Sequence, residues 1–385
     1  MRKEGASTLS VVRGWDSSRN DFLERHRGNQ LLKLVTHCSN VCNLACPGCF
    51  VHKPDDPEGG FTAKSKKRYP DEMQIAEQIE LLREAKALGV KAMDIVGAGE
   101  PTLDPNFDTL IHEAGNLGIH SVVFTHGATR MFQDAKRLER YKDLPISFFI
   151  KVWSLNDELQ NRYVQGGFKN YAQMRNIALV NLRDLGFMEG NEVTIDETNR
   201  RLTRVAADIL VMKSNAAEIP DIFRFCRGNN IMPEIKNYIP EGPTRFDYEQ
   251  GYFNDLSVEK RAELKSEEID QKDFAELRRR LQKIDAEEYG NPSLPYFYPQ
   301  AVFCTQSMAA LYVTIRGDIL GCVGTDHVYG KYQSGQDMLV QALKSRKENV
   351  SLGCAPRVRE ANNRNIVIPP AELEILSLDA SAQKI

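Results

Sequence analysis

Two hydrophobic periods alternate along the middle of the chain, between residues 31 and 238. Short runs of mostly apolar residues are separated by longer stretches in which apolar residues recur every three or four positions. A short apolar run bounded by turn residues is typical of a buried strand, and the longer period is typical of an amphipathic helix. The predicted strands are Leu31–Thr36, Lys91–Val96, His120–Thr125, Ser147–Trp153, Arg204–Met212 and Ile231–Tyr238.

Helices are predicted in the stretches between these strands. Apolar faces run over Ile75–Leu82, Phe107–Leu117 and Met174–Leu185. The helices that carry them are predicted to end at Gly89, Gly118 and Gly186. Six strand–helix units in series predict a parallel sheet curled into a TIM-like barrel. The barrel is expected to be a partial one, (β/α)6, because a complete barrel has eight units. The predicted fold class is therefore α/β.

Beyond residue 245 the pattern changes. Residues 256–289 are rich in charge, which predicts a long helix with a solvated face. The runs Leu311–Ile315 and Ile319–Val323 predict a hairpin that turns at Gly317. We expect an N-terminal extension at 1–30, the barrel at 31–245, a charged helical linker at 246–295, a small α+β domain at 296–360 and a C-terminal tail at 361–385.

Composition and charge fit a chain with a sizeable hydrophobic core. The 385 residues are 42% hydrophobic and 27% charged, with a net charge of −3, so one or two domains are expected. The sequence shows no signal peptide or membrane span, and no basic stripe that would indicate a nucleic-acid partner. Eight cysteines without a secretion signal favour the reducing cytoplasm, where thiolates remain available for metals.

Four of these cysteines lie close together directly after the first predicted strand. They are Cys38, Cys42, Cys46 and Cys49, in the run CSNVCNLACPGCF, and the last three are spaced CxxxCxxC. Three thiolates on a short loop can hold three irons of a 4Fe–4S cluster and leave the fourth iron open. A zinc site built from all four cysteines, or a dithiol pair, remains an alternative.

A second candidate site follows the next predicted strand. Gly97, Ala98, Gly99, Glu100 and Pro101 form a turn of small residues with one carboxylate. Small residues after a strand let the backbone approach a ligand closely. The carbonyls and the carboxylate could bind an ammonium group, although many glycine-rich turns are turns only.

Together the two motifs resemble the radical S-adenosylmethionine superfamily. The resemblance implies that Cys42, Cys46 and Cys49 hold a 4Fe–4S cluster whose open iron binds S-adenosylmethionine. One electron, from a donor such as flavodoxin or ferredoxin, then yields a 5′-deoxyadenosyl radical. It also implies that the turn Gly97–Pro101 holds the amino group of the cofactor. The stretch Ser154-Leu155-Asn156 resembles the family's Ser-Leu-Asp turn, which implies that Ser154 contacts the cofactor.

Two further points are left open by the sequence. The stretch Ser214–Ile219 is similar to the family's Asn-x-x-Glu-Ile motif, although its serine and asparagine could simply cap a helix. Cys38 is either a buried thiol at the end of the first strand or a ligand of another cluster. Cys226 lies in a predicted amphipathic helix and is expected to be a core residue.

A third group of cysteines lies in the last predicted domain. Cys304, Gly317 and Cys322 form the pattern C-x12-G-x4-C, and Cys354 follows. This pattern resembles the start of the auxiliary-cluster domain called SPASM in its long form and twitch in its short form. The resemblance implies a twitch-like domain with a second iron–sulfur cluster, of the 4Fe–4S type. Scattered buried cysteines are the alternative.

The substrate is only broadly indicated. Polar residues on the later strands, which should point into the barrel, are Lys151, Arg204, Asp208, Glu234, Lys236 and Tyr238. Ion pairing could explain any one of them, and Lys236 or Glu234 could act as a catalytic base.

We expect hydrogen abstraction from a small polar metabolite, such as a sugar, aminocyclitol or nucleotide derivative, and a two-electron oxidation in antibiotic or other secondary metabolism. A peptide substrate is the main alternative. Peptide-modifying relatives often carry a leader-binding domain before the barrel, and only a short segment precedes the first predicted strand here. Redox-neutral dehydration, epimerisation or decarboxylation, and a non-enzymatic metal-binding module, are also open.

Overall fold

The structure is a computed structural model that describes residues 8–44, 46, 49, 68–164, 168–238, 262–263, 265–290, 309–322 and 327–348. Its strands are β1 Leu9–Val12, β2 Lys33–Thr36, β3 Ala92–Ile95, β4 His120–Thr125, β5 Ile146–Lys151, β6 Glu192–Ile195, β7 Thr198–Thr203, β8 Val205–Val211, β9 Met232–Asn237, β10 Ala310–Val313, β11 Asp318–Leu320 and β12 Val328–Lys331. Its α-helices are α1 Arg19–Arg27, α2 Ile75–Ala87, α3 Phe107–Asn116, α4 Arg130–Gln133, α5 Ala135–Glu139, α6 Asp157–Tyr163, α7 Tyr171–Asp184, α8 Ile219–Gly228, α9 Gln271–Ile284 and α10 Met338–Glu348.

The six predicted barrel strands are consecutive in a nine-stranded sheet, and the last of them, β9, is one of its edge strands. Strands β2, β3, β4, β5, β8 and β9 lie side by side in chain order, and all neighbouring pairs are parallel. Their carboxyl ends therefore share one edge of the sheet, where folds of this type carry their chemistry. The predicted α/β class with a partial barrel is confirmed.

The hairpin predicted near Gly317 extends this same sheet. Strand β10 pairs in parallel with β2, and β11 and β12 follow in antiparallel order. Gly317 adopts a positive φ of 84° at the turn, a conformation that a residue with a Cβ rarely adopts. The hairpin is thus joined to the open edge of the barrel by backbone hydrogen bonds.

A second sheet, of three strands, packs beside the barrel strands β8 and β9. The hydrophobic pattern did not predict it. Strand β1 pairs with β7, which forms a hairpin with β6. The segment after β1 brings Trp15 against Phe149 and Phe124, with ring centroids 4.8 and 6.0 Å away. Trp15 therefore packs on the side chains of the two neighbouring barrel strands β4 and β5.

The largest hydrophobic core lies between the sheet and its helices, and it includes Leu34, Met93, Phe148 and Phe223. Each of these four side chains is at most 1% exposed. The helices α2, α3, α7 and α8 place their apolar faces on the sheet, as the three-to-four period predicted. Within the described residues, no helix is both long and apolar enough to cross a membrane.

Candidate active site

The cysteine loop and the glycine-rich turn form one unit at the carboxyl edge of the sheet. The Gly99 N–H donates to the Ser39 carbonyl at 2.9 Å, and the Glu100 N–H donates to the Val41 carbonyl at 2.7 Å. A Cβ on Gly99 would lie 2.1 Å from the Val41 carbonyl oxygen, well inside van der Waals contact. Gly99 is therefore required by the close approach of the cysteine loop.

The Glu100 carboxylate ties this unit to the end of β4. It accepts hydrogen bonds from the hydroxyls of Thr125 and Thr102, at 2.5 and 2.7 Å, and from the His126 N–H at 2.9 Å. Only 3% of Glu100 is exposed. The predicted ligand of the cofactor's ammonium group thus already positions two strand ends, while one of its oxygens retains acceptor capacity.

His126 connects the same region to the cysteine loop. Its Nδ1 accepts from the Ala128 N–H, and its Nε2 lies 2.9 Å from Asn43 Oδ1, between Cys42 and Leu44. Burial lowers the pKa of His126, so the ring is neutral and Nε2–H is the donor to Asn43. Sequence reasoning missed His126, although its place directly after a predicted strand could have indicated it.

The three cysteines of the CxxxCxxC motif lie together at this edge. Cys46 is buried, Cys42 and Cys49 are half-buried, and all three belong to one apolar cluster with Trp153 and Tyr171. Burial, followed by the neighbouring thiolate of Cys46, raises the pKa of the Cys42 thiol. The three thiols are therefore close enough to interact electrostatically.

The other two cysteines near the barrel lie elsewhere. Cys38 is 2% exposed and belongs to the main core, not to the cluster around Cys46. Cys38 is therefore a buried thiol. It lies in a different cluster from the other three potential zinc ligands. Cys226 is fully buried in the same core, as the sequence predicted.

This geometry fits an iron–sulfur cluster. Among the described residues, no three His, Cys, Asp or Glu side chains converge on a single metal ion. A cubane does not require such convergence, because each thiolate binds a different iron. Cys42, Cys46 and Cys49 would hold three irons of such a cluster, which would leave the fourth iron free to bind a ligand.

Two stretches that resemble family motifs bind each other. Glu218 accepts from the Ser154 hydroxyl at 2.5 Å and from the N–H groups of Leu155 and Asn156 at 2.7 and 3.0 Å. Asn215 donates to the Trp153 carbonyl at 2.7 Å. The motif around Asn215 therefore positions the chain after β5 and does not cap α8, and Ser154 is wholly buried behind that contact.

Lys236 and Glu234 meet inside the barrel, together with Asp208. The Lys236 ammonium lies 2.5 Å from Asp208 Oδ1 and 3.1 Å from Glu234 Oε2. The side chains of Lys236 and Asp208 are 19% and 17% exposed, whereas that of Glu234 is 2% exposed. Burial lowers the pKa of Lys236, but Asp208 and Glu234 together raise it above its ordinary value, so the ammonium stays charged.

The prediction that Arg204 points into the barrel is wrong. Strand β8 begins at Val205, so Arg204 lies before the strand at its amino end. Its guanidinium donates to the Lys142 carbonyl at 2.6 Å and packs on the Phe187 ring. Alternation of side chains does not hold beyond the end of a strand, which explains the error.

A buried pair that sequence reasoning missed lies deeper in the barrel. Lys33 Nζ is 3.6 Å from Asp94 Oδ2 and 4.1 Å from the Trp15 ring, and the Trp15 indole N–H donates to Asp94 Oδ1. These contacts join strands β2 and β3 to the segment after β1. They depend on the position of the segment after β1, which the hydrophobic pattern did not predict.

Of the three predicted auxiliary ligands, only Cys322 lies in the described part of the chain; Cys304 and Cys354 lie outside it. Cys322 is half-buried and follows β11. Because Leu320 pairs with Tyr312 in an antiparallel ladder, Cys322 lies toward the amino end of β10. Cys46 follows β2, which is parallel to β10, so Cys46 lies at the opposite edge of the sheet, where the parallel strands have their carboxyl ends.

A partial parallel barrel with a three-cysteine loop and a glycine-rich turn at its carboxyl edge defines an iron–sulfur enzyme of the radical class. Residues 36–195 match the family described as the radical SAM superfamily. The matched region is thus a radical SAM domain, and the cofactors that go with this domain are a 4Fe–4S cluster and S-adenosylmethionine.

Individual relatives agree with this assignment. The chain is 24% identical over 254 residues to a protein of Methanocaldococcus jannaschii described as a probable GTP 3′,8-cyclase, covering 66% of this chain and 73% of that protein. It is 30% identical over 102 residues to an S-adenosylmethionine-dependent nucleotide dehydratase of Flammeovirga pacifica, covering 26% and 32%. The crystal structure of Streptococcus suis SuiB bound to S-adenosylmethionine shares the fold, with a TM-score of 0.55, 17% identity, and 86% and 70% coverage.

Proposed function

We propose that this radical enzyme abstracts a hydrogen atom from a small polar metabolite, such as a sugar, aminocyclitol or nucleotide derivative, and oxidises it by two electrons. The observation that carries the proposal is the partly exposed Asp208–Lys236 pair in the barrel interior. A charged pair accessible from inside a barrel can bind hydroxyl and amine groups of a substrate. An apolar substrate would leave both charges unsolvated.

The names of the relatives favour a nucleotide derivative within this class. The relatives from Methanocaldococcus jannaschii and Flammeovirga pacifica are both described by reactions of nucleotides. Nucleotides are therefore the first compounds to be tested.

The interior residues have separate roles in the proposed reaction. The bound cluster and S-adenosylmethionine supply the 5′-deoxyadenosyl radical. Oxidation of a carbon bearing a hydroxyl then transfers one hydrogen atom to that radical, one proton to a base and one electron to an acceptor. Lys236 stays protonated and donates to the substrate oxygen, whereas Glu234, whose pKa burial raises to about 7, takes the proton.

The proposed electron acceptor is a second cluster held by Cys304, Cys322 and Cys354. With both clusters the reconstituted protein should bind about eight irons. Replacing these three cysteines with alanine should leave about four irons, and replacing Cys42 instead should remove the other cluster. Full iron content in the triple variant would contradict the second cluster.

Product mass tests the proposed function. Anaerobic protein is incubated with S-adenosylmethionine, dithionite and panels of nucleotides, nucleotide sugars, aminocyclitols and peptides. Oxidation predicts loss of two hydrogens from one compound, with one 5′-deoxyadenosine formed per product. If only peptides support 5′-deoxyadenosine formation beyond the substrate-free rate, the small-molecule assignment is wrong.

A redox-neutral reaction is the second candidate. It is favoured by the two relatives, which are described as a cyclase and a dehydratase. Loss of water, or a product of unchanged mass, would establish it. The second cluster would then bind substrate or shape the pocket.

A further inference from the structure

We propose that Lys151 tunes the radical cluster, by donating a charge-assisted hydrogen bond to Cys46 and stabilising the reduced state. The inference rests on the proposed ligation by Cys42, Cys46 and Cys49. It adds a positioning residue to that site. No family motif quoted above includes Lys151.

The position of Lys151 is determined by the sheet. It is the last residue of β5, the strand between β4 and β8. Its Nζ lies 3.5 Å from Cys46 Sγ and 4.6 Å from the centroid of the Trp153 ring. The ammonium group is thus held between a sulfur atom and the face of an indole, which also attracts cations.

The carboxylate that lies next to Lys151 in the sheet forms its ion pair with another lysine. In the register of the sheet Lys151 pairs with Asp208, but Asp208 Oδ1 lies 2.5 Å from Lys236 Nζ. Among the described residues, no carboxylate forms an ion pair with Lys151. Among the residues that the structure describes, the sulfur of Cys46 is therefore the negative group nearest to it.

A cation at this place should change the redox equilibrium of the cluster. Reduction adds one negative charge, and a nearby positive charge stabilises the more negative state. Hydrogen bonds to the sulfurs and net charge are the established means by which a protein sets cluster potentials. Lys151 is half-buried, so salt screens this interaction less than it screens a surface pair.

An alternative role for Lys151 is to bind the carboxylate of S-adenosylmethionine. The two roles differ in one respect. Tuning by Lys151 acts on the cluster when no S-adenosylmethionine is present, whereas a contact with the cofactor acts only when it is bound.

The test is a redox titration with dithionite, without S-adenosylmethionine, followed by the electron paramagnetic resonance signal of the reduced cluster. The titrated protein carries alanine at Cys304, Cys322 and Cys354, so that one cluster remains. Lys151→Met and Lys151→Arg are compared with Lys136→Met, which removes an exposed lysine on α5. Iron content and circular dichroism show whether each variant folds and holds its cluster.

We expect Lys151→Met to lower the ratio of reduced to oxidised cluster about tenfold at a fixed potential, which is 59 mV for one electron. Lys151→Arg keeps the charge and should recover most of the ratio, and Lys136→Met should match the unsubstituted protein. An unchanged potential in iron-loaded Lys151→Met would overturn the proposal. The ligand assignment is tested separately by replacing Cys42, Cys46 or Cys49. Such a variant should lose its iron, and with it the whole electron paramagnetic resonance signal.

Discussion

Replacing Gly99 with alanine should separate the cysteine loop from the glycine-rich turn. The new Cβ would lie 2.1 Å from the Val41 carbonyl oxygen and 2.6 Å from the Asn40 carbonyl carbon. Both neighbours are backbone atoms, so a change of rotamer cannot relieve the overlap. The loop that carries Cys42 must move instead.

The cost follows from the contacts that this movement breaks. Two backbone hydrogen bonds, from Gly99 to Ser39 and from Glu100 to Val41, contribute about 0.5–1.5 kcal/mol each. Forcing an extra methyl group into a packed site costs about 1–3 kcal/mol. The free energy of unfolding should therefore fall by about 2–6 kcal/mol, which many domains survive.

Two measurements check this prediction. Urea unfolding of the cluster-free protein reports the loss of stability, and the iron content after anaerobic reconstitution reports whether the loop still assembles its cluster. Gly228→Ala is the matched control, because nothing lies within 4 Å of a Cβ at that helical position. There alanine should stabilise the protein slightly. Normal iron content and unchanged stability in Gly99→Ala would refute the reasoning.

Three further substitutions test other parts of the site and the fold. Glu100→Ala should weaken S-adenosylmethionine binding ten- to a hundredfold, or about 1.5–3 kcal/mol; calorimetry that shows unchanged affinity would leave this carboxylate with a structural role only. If Glu234 is the base, the rate of product formation should rise as the pH passes through about 7, since the base works deprotonated; this rise should disappear in Glu234→Gln. The side chains of Arg227 and Asp285 form an ion pair at 2.7 Å and are both 0% exposed. Arg227→Met removes this partner of Asp285 and should lower the free energy of unfolding in urea by about 3–5 kcal/mol. An unfolding midpoint equal to that of the unsubstituted protein would argue against the pair.

The barrel and its cofactor class could be predicted from the sequence because both depend on local patterns. The period of apolar residues is a property of each strand or helix taken separately. The spacing of Cys42, Cys46 and Cys49 is likewise contained in one short loop, and so is the turn Gly97–Pro101. The structure moved the ends of the six predicted barrel strands by no more than two residues.

The contacts between those elements could not be predicted. His126 and Asn43 are 83 residues apart, and Ser154 and Glu218 are 64 apart. Whether such residues meet depends on which strands are neighbours and in what register, and a single hydrophobic pattern contains neither. The same is true of β10, which pairs with β2 across most of the chain.

Sequence by itself therefore determined the cofactor class, the order of the six barrel strands, and the residue types available for chemistry. Tertiary structure decided what these residues do: it uses Glu100 and Glu218 to join strand ends, buries Cys38 away from its neighbours, and places Lys151 beside Cys46. The physical reason is that side-chain roles depend on distance, burial and charge, which arise only when parallel strands bring their carboxyl ends to one edge.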